Sequence, residues 1–340
     1  MQRRTFLKLG ASGVALAAVA GGWAWSRHRR ATALRSEPIT GPWPALGEGA
    51  QWLLPDLHGA LVVVPDRPHE QQEALDPVRR AKVTRLRSFH VDSGPRRLRG
   101  APFAGQPAAG VQRLLAIGDS VTFGWGVEGE RSWPARLQAR LLAAGHAVEV
   151  LNAGVPAQPL MIMEAYLRHE APGLGLDGVL FTRRPPALDG HAAINFAATI
   201  GRCREALPGV RFHVLLPPVS RFDPRGCAAW SEEARQVGEA LGEVPVLDLT
   251  EALRAAQGSR GTGLEVAGGR QRLLDLERGE VLLEVQAPPE GLAPQIYARF
   301  EEDPTVREAL FFDDGHPDAD GLEVVATAVE GALERAGWWG

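Results

Sequence analysis

Five short apolar runs, separated by segments with helical periodicity, constrain the fold of this chain more than any other feature. The runs cover residues 114–117, 147–151, 178–181, 212–216 and 244–249. Parallel strands need long crossover connections, which are usually helices. The alternation therefore predicts an α/β fold, with a doubly wound parallel sheet of about five strands and helices on both faces.

The segment after the first run shows how these helices are read from the sequence. Trp133, Leu137 and Leu141 follow one another at four-residue spacing, which is typical of a helix with one buried face. Ser132 stands where an N-cap is expected, and Gly145 stands where the helix should stop. The spacing predicts a helix between these two residues.

Composition and punctuation divide the chain into three parts. Residues 1–30 read as a targeting segment, and residues 31–110 read as a small β-rich accessory region, because short apolar runs alternate with Pro and Gly. Residues 111–340 hold the alternating strands and helices. Residues 258–309 break that rhythm, so we interpret them as an insertion before the last helix.

The N-terminal segment begins MQRRTFLK and continues into a mild apolar stretch rich in Gly and Ala. It resembles a twin-arginine export signal, which predicts a periplasmic or extracellular protein. The stretch is at the short edge of the range that spans a bilayer, so an uncleaved membrane anchor is the alternative. Membrane contact is expected only through this segment.

Charge and cysteine content exclude several classes of function. The formal net charge is −4 although residues 1–30 carry six basic side chains and no acid, so the remaining chain is acidic. An acidic body without a basic stripe argues against nucleic-acid binding. The two cysteines, Cys203 and Cys227, lack metal-ligand spacing, and no cofactor or metal is expected. In an oxidising compartment these two residues could form a disulfide.

Chemically capable residues gather at the predicted carboxyl ends of the strands. Ser120 follows the first strand, Asn152-Ala153-Gly154 follow the second, and Arg183-Arg184 follow the third. Asp313-Asp314-Gly315-His316-Pro317 precede the last helix. Ligands of open α/β sheets bind at this edge. The sequence therefore predicts one site that brings these segments together.

Three segments, IGDSVTFGWGV, VLNAGVP and FFDDGHPDADG, resemble sequence blocks of the SGNH (GDSL-type) hydrolases, over roughly residues 112–337. That family comprises esterases, lipases and acyltransferases with a flavodoxin-like sheet. The resemblance implies that Ser120 is the nucleophile, His316 the general base and Asp313 the residue that orients the imidazole. It also implies an oxyanion hole formed by the backbone N–H groups of Ser120 and Gly154.

One feature of the family is missing. Its members usually carry an Asn side-chain amide after the third strand, whereas this chain reads GVLFTRRPPALDG and has only two asparagines, Asn152 and Asn195. The third oxyanion donor is therefore absent, or it is supplied by Arg183, Arg184 or Asn195. Strand alternation predicts that only one of the two arginines faces the cleft.

Three functions fit these patterns. The first is a serine esterase that acts on an acyl ester in the cell envelope or outside the cell, with an O-acetylated glycan as one candidate substrate. The second is an O-acyltransferase of the same fold, in which a sugar hydroxyl replaces water. The third is a catalytically degenerate domain that binds polysaccharide, for which the missing Asn is the argument.

Overall fold

The structure is a computed structural model, and it describes most of the chain from residue 105 to residue 339. The described residues are 60–65, 86–94, 96, 98–100, 103, 105–185, 190–223, 226–288, 292–303, 305–312 and 315–339. The predicted export signal, residues 1–30, lies outside them. Within the described residues no helix combines the length and the apolar character needed to cross a membrane.

A five-stranded parallel sheet forms the centre of the fold, as predicted. Its strands are β3 (Gln112–Gly118), β4 (Val148–Gly154), β5 (Gly178–Thr182), β6 (Arg211–Leu216) and β7 (Val246–Asp248), following β1 (Ala60–Pro65) and β2 (Leu86–Val91) in the chain. Their spatial order is β4-β3-β5-β6-β7, and each neighbouring pair is parallel. From β3 the chain passes to β4 at one edge of the sheet and then returns to β5 on the other side of β3. The direction of the strand order therefore reverses at β3.

Eight helices accompany the strands in the described residues. They are α1 (Ser120–Phe123), α2 (Trp133–Ala143), α3 (Leu160–His169), α4 (Gly190–Ala206), α5 (Gly226–Leu241), α6 (Leu249–Gln257), α7 (Pro294–Glu302) and α8 (Ala319–Arg335). The helix predicted between Ser132 and Gly145 is α2. The predicted fifth strand, residues 244–249, is longer than β7 at both ends. At its carboxyl end the Asp248 side chain accepts a hydrogen bond from the Thr250 N–H and so starts α6 at Leu249.

The two faces of the sheet carry separate cores, since successive side chains of a strand point to opposite faces. On one face, Leu115 and Ile117 pack with α3, α4 and α5. On the other, Leu114 and Ala116 pack with α2, α6 and α8. Both layers cover a sheet that is buried throughout its centre, which explains the continuous apolar runs in the sequence.

The accessory region contributes a two-stranded antiparallel sheet, β1–β2. Phe89 and Val91 of β2 pack against Phe123, Trp125 and Phe312 in a small aromatic cluster. Phe123 ends α1, while Trp125 and Phe312 belong to loops at the carboxyl edge of the main sheet. The accessory strand therefore supports the loops that carry the predicted site.

The predicted insertion contains a second sheet. Strands β8 (Thr262–Ala267), β9 (Arg270–Asp275) and β10 (Glu280–Gln286) are antiparallel in the order β10-β9-β8, and α7 follows them. Leu273, Ile296 and Val306 form a local core there together with Phe222 from the loop after β6. The insertion thus packs beside the loop after β6.

The possible disulfide is not formed. Cys203 lies in α4 as a buried free thiol, and burial raises its pKa to about 12. The Cys227 backbone lies in α5, whereas a loop was expected for this residue. Its side chain is outside the described part.

Candidate active site

Ser120 lies at the junction of β3 and α1. Gly118 ends the strand, and a Cβ there would lie 2.2 Å from Thr122 Oγ1 and 2.8 Å from the Thr182 carbonyl oxygen. Only glycine allows this close approach. Asp119 caps α1 by accepting a hydrogen bond from the Val121 N–H, which is a structural role. The Ser120 N–H belongs to the first turn and has no intrahelical acceptor.

His316 meets Ser120 at this edge. Its Nε2 lies 2.8 Å from Ser120 Oγ, within hydrogen-bond distance. The imidazole is 7% exposed, stacks on Phe312 at 5.7 Å between ring centroids and contacts Trp125 at 6.3 Å. The structure therefore brings together two of the three predicted triad residues. Asp313, like Asp314, lies outside the described residues, and its assignment stays a prediction.

Arg99 of the accessory region holds the end of α1. Its guanidinium is buried and donates to the carbonyl oxygens of Phe123, Gly124 (2.8 Å) and Val127 (2.7 Å). It also lies 4.2 Å from the Phe123 ring centroid, while its backbone N–H donates to the Asn152 carbonyl. Desolvation lowers the pKa of Arg99 to about 10. The turn after Ser120 and α1 is thus fixed by a residue distant from the site motifs.

Gly154 does not supply a free oxyanion donor, contrary to the sequence-based expectation. Its N–H donates to Asn152 Oδ1 at 2.9 Å. A Cβ at this position would lie 2.1 Å from the Phe123 nitrogen, so the glycine is needed because α1 packs directly on β4. Asn152 therefore has a structural role, because its side-chain oxygen accepts the N–H that the resemblance assigned to the oxyanion.

Arg183 and Arg184 both line the cleft with Ser120 and His316. The expectation that only one would face it is wrong, because β5 ends at Thr182 and strand alternation no longer applies beyond that residue. Arg183 is 26% exposed. Its Nη1 lies 3.4 Å from Asp119 Oδ2 and donates to the Gln158 carbonyl at 3.1 Å.

Arg184 is committed to a buried network. Nε donates to the Pro217 carbonyl, Nη1 to Glu233 at 2.5 Å, and Nη2 to Asp248 at 2.7 Å and to Thr250. The side chain is only 9% exposed. All three nitrogens have protein acceptors, so Arg184 is a structural tie between β6, α5 and α6.

Asn195 lies in α4, as the sequence predicts, but its side chain is on the exposed face of that helix. It is not among the residues that line the cleft with Ser120. The structure therefore does not bring this amide to the site.

The remaining cleft walls come from the loop after β6 and from α5. Pro217, Pro218, Val219 and Trp230 give the cleft an apolar side, and its volume is about 420 Å³. Within the part of the chain that the structure describes, no group of three or more His, Cys, Asp or Glu side chains is placed to hold a metal ion.

A buried carboxylate anchors this wall to the insertion. Glu308 accepts hydrogen bonds from Ser220 Oγ at 2.5 Å, from the Arg221 N–H and from Arg254 and Gln257 at 2.8 Å each. Desolvation raises the pKa of Glu308, while these donors oppose the shift. The insertion thereby fixes the loop that faces Ser120 across the cleft.

Two features near the site escaped the sequence reasoning. Ala157 and Leu310 are the non-glycine residues with positive φ in the described part, at 55° and 69°. They belong to the loops that precede Gln158 and His316, and such conformations cluster at functional sites. Neither they nor Arg99 have a sequence signal, since Ala, Leu and Arg do not mark a turn or a buried hydrogen-bond donor.

A parallel α/β sheet with a serine hydroxyl and an imidazole in hydrogen-bond contact at its carboxyl edge is the arrangement of a serine-dependent hydrolase. Residues 116–266 match the model of the GDSL-like Lipase/Acylhydrolase family. The match includes two of the three sequence blocks that carried the resemblance. His316 lies beyond the matched residues. No curated protein matches the chain.

Solved structures similar to the chain include GDSL-type hydrolases. A lipolytic protein of the G-D-S-L family from Desulfitobacterium hafniense DCB-2 has 14% identity and a TM-score of 0.39, over 65% of this chain and 99% of that one. A lipase/acylhydrolase from Enterococcus faecalis has 16% identity and a TM-score of 0.41, over 66% and 96%. A two-domain esterase active on acetylated mannans has 11% identity and a TM-score of 0.43, over 68% and 49%. Likenesses at these TM-scores support no argument about substrate.

Proposed function

We propose that the protein is a serine esterase in which Ser120 is the nucleophile and His316 the general base. The observation that carries the proposal is the 2.8 Å contact between Ser120 Oγ and His316 Nε2 inside the cleft. A serine hydroxyl is a weak nucleophile until a base within hydrogen-bond reach takes its proton. Asp313, three residues before His316, is the residue we assign to orient the imidazole.

The proposed reaction has two halves. Ser120 Oγ attacks the acyl carbon and gives its proton to His316 Nε2, while the carbonyl electron pair moves onto oxygen. Collapse of this intermediate restores the carbonyl and breaks the bond to the alcohol, which leaves with the proton from His316. Water then repeats the sequence on the acyl-enzyme, releases the acid and returns the proton to Ser120.

The proposed substrate is an acyl ester in the cell envelope or outside the cell, with an O-acetylated glycan as the candidate. The motif RRTFLK at the N-terminus supports export. A cleft of about 420 Å³, in the lower part of the range for small-molecule pockets, supports a small acyl group.

The test is the release of p-nitrophenol from p-nitrophenyl acetate by the purified full-length protein, with the Ser120→Ala variant as control. We expect a burst equal to the enzyme concentration, followed by steady turnover that the variant lacks. Release no faster than that of the variant contradicts the proposal. Faster release with an added sugar acceptor, and acylated sugar as product, would show the acyltransferase instead, and glycan binding without turnover would show a binding domain.

A further inference from the structure

The cleft needs a side-chain donor for the oxyanion that forms when Ser120 attacks an ester. The Ser120 N–H is available at the start of α1, but the Gly154 N–H is already bonded to Asn152. Preorganised donors at this oxygen are usually the largest single contribution to acyl-transfer catalysis. One backbone N–H alone leaves most of the developing charge without a partner.

The contacts of Arg184 and the exposed position of Asn195 exclude these two residues as donors to the oxyanion. Every guanidinium nitrogen of Arg184 donates to a protein acceptor, so it cannot turn toward substrate without breaking a buried network. Asn195 is on the exposed side of α4. Arg183 lines the cleft and, unlike Arg184, keeps unused donors. Its Nη1 has hydrogen-bond acceptors among the described residues, whereas its Nε and Nη2 have none there.

We propose that Arg183 is a catalytic residue that donates from its guanidinium to the oxyanion, in the place of the missing side-chain amide. This inference rests on the proposed esterase function. The residue directly follows β5, and its backbone N–H donates to the Leu215 carbonyl, which fixes its Cα at the sheet edge. Bonds from Nη1 to Asp119 and Gln158 hold the guanidinium beside the loop of Ser120 while Nε and Nη2 stay available.

Charge gives Arg183 a second effect at the same oxygen. Asp119 precedes the nucleophile, and its carboxylate would repel a negative charge developing nearby. The ion pair with Arg183 offsets that repulsion, and a hydrogen bond from a cation is stronger than one from a neutral amide. In the proposed step Arg183 donates hydrogen bonds only and transfers no proton.

The experiment compares wild type, Arg183→Ala and Arg183→Gln with Arg202→Ala as the matched control. Arg202 also pairs with an acid, Glu164, but lies on the outer surface of α4. We expect Arg183→Ala to lower kcat for p-nitrophenyl acetate by about 10²–10³-fold with KM changed less than threefold, because the lost contact exists only in the transition state. Guanidinium chloride at low millimolar concentration should restore part of the kcat of Arg183→Ala.

A second measurement separates this inference from the proposed function. Methylboronic acid forms a tetrahedral anion on a serine hydroxyl, and ¹¹B NMR detects this adduct without turnover. Weakening of its binding by at least tenfold in Arg183→Ala, with Arg202→Ala unchanged, supports the inference even if no ester is hydrolysed. Arg183→Gln keeps one amide donor and should fall between the two, and it replaces the alanine variant if that one does not fold. Wild-type boronate affinity or kcat in folded Arg183 variants overturns the inference.

Discussion

Replacing Arg99 by Met should destabilise the protein and misplace Ser120, the proposed nucleophile. Three buried hydrogen bonds run from this guanidinium to the carbonyls of Phe123, Gly124 and Val127. Hydrogen bonds to charged groups contribute about 1.5–3 kcal/mol each, so three give about 5–9 kcal/mol. Met fills similar space with its apolar stem but removes the three Arg99 donors, which leaves the Phe123 carbonyl with the Asn152 amide at 3.5 Å and the Gly124 carbonyl with the Val127 N–H at 3.3 Å.

The cost of burying the charge offsets part of this loss. The pKa of Arg99 falls from 12.5 to about 10, mainly through desolvation. At about 1.4 kcal/mol per pKa unit, this corresponds to a penalty of about 3 kcal/mol that the neutral variant no longer bears. The expected net destabilisation is therefore about 2–6 kcal/mol.

Urea unfolding followed by tryptophan fluorescence measures this difference at neutral pH. Arg202→Met is the control, because its ion pair is exposed and should contribute at most about 1 kcal/mol. In the folded fraction of Arg99→Met we also expect a lower kcat, since the turn after α1 loses its anchor. A loss of stability below about 1 kcal/mol would refute the assignment of these hydrogen bonds as a main support of the turn.

Three further predictions concern other parts of the chain. In the p-nitrophenyl acetate assay, Ser120→Ala and His316→Ala should each lower kcat by several orders of magnitude, and the double variant should lose little more. Additive losses would contradict a shared mechanism. His213 is buried and its pKa is lowered from 6.5 to about 4, so the unfolded chain takes up this proton first and stability falls as the pH drops from about 6.5 to 4, by up to about 3 kcal/mol. His213→Leu should flatten that part of the curve in urea unfolding at several pH values, and an unchanged slope would count against it. Replacing both Arg3 and Arg4 by Lys should keep the protein in the cytoplasm, as cell fractionation would show, and normal export would argue against a twin-arginine signal.

The strands of the sheet could be predicted because each buried strand appears in the sequence as a short apolar run. Runs such as 114–117 are apolar without interruption, since both faces of the strand are covered by helices. The proximity of Ser120 and His316 follows from the rule that sites form at the carboxyl ends of parallel strands. Their catalytic roles remain predictions.

Hydrogen-bond partners could not be predicted in the same way. Nothing in the sequence tells that the Gly154 N–H donates to Asn152, because the choice depends on how closely α1 approaches β4. Strand alternation predicts that Arg183 and Arg184 point to opposite sides. The rule does not apply to them, because β5 ends at Thr182. Arg99 binds carbonyl groups that are distant in sequence, and no local sequence pattern predicts such contacts.

The contact between Ser120 and His316 joins residues that are 196 positions apart. During synthesis Ser120 and β3 leave the ribosome long before His316 does. A domain generally completes its folding only after its whole chain has emerged. A nascent chain that ends before His316 therefore carries Ser120 without its proposed base. Under the proposed function, ester turnover reports that the chain has been completed through His316 and has folded around it.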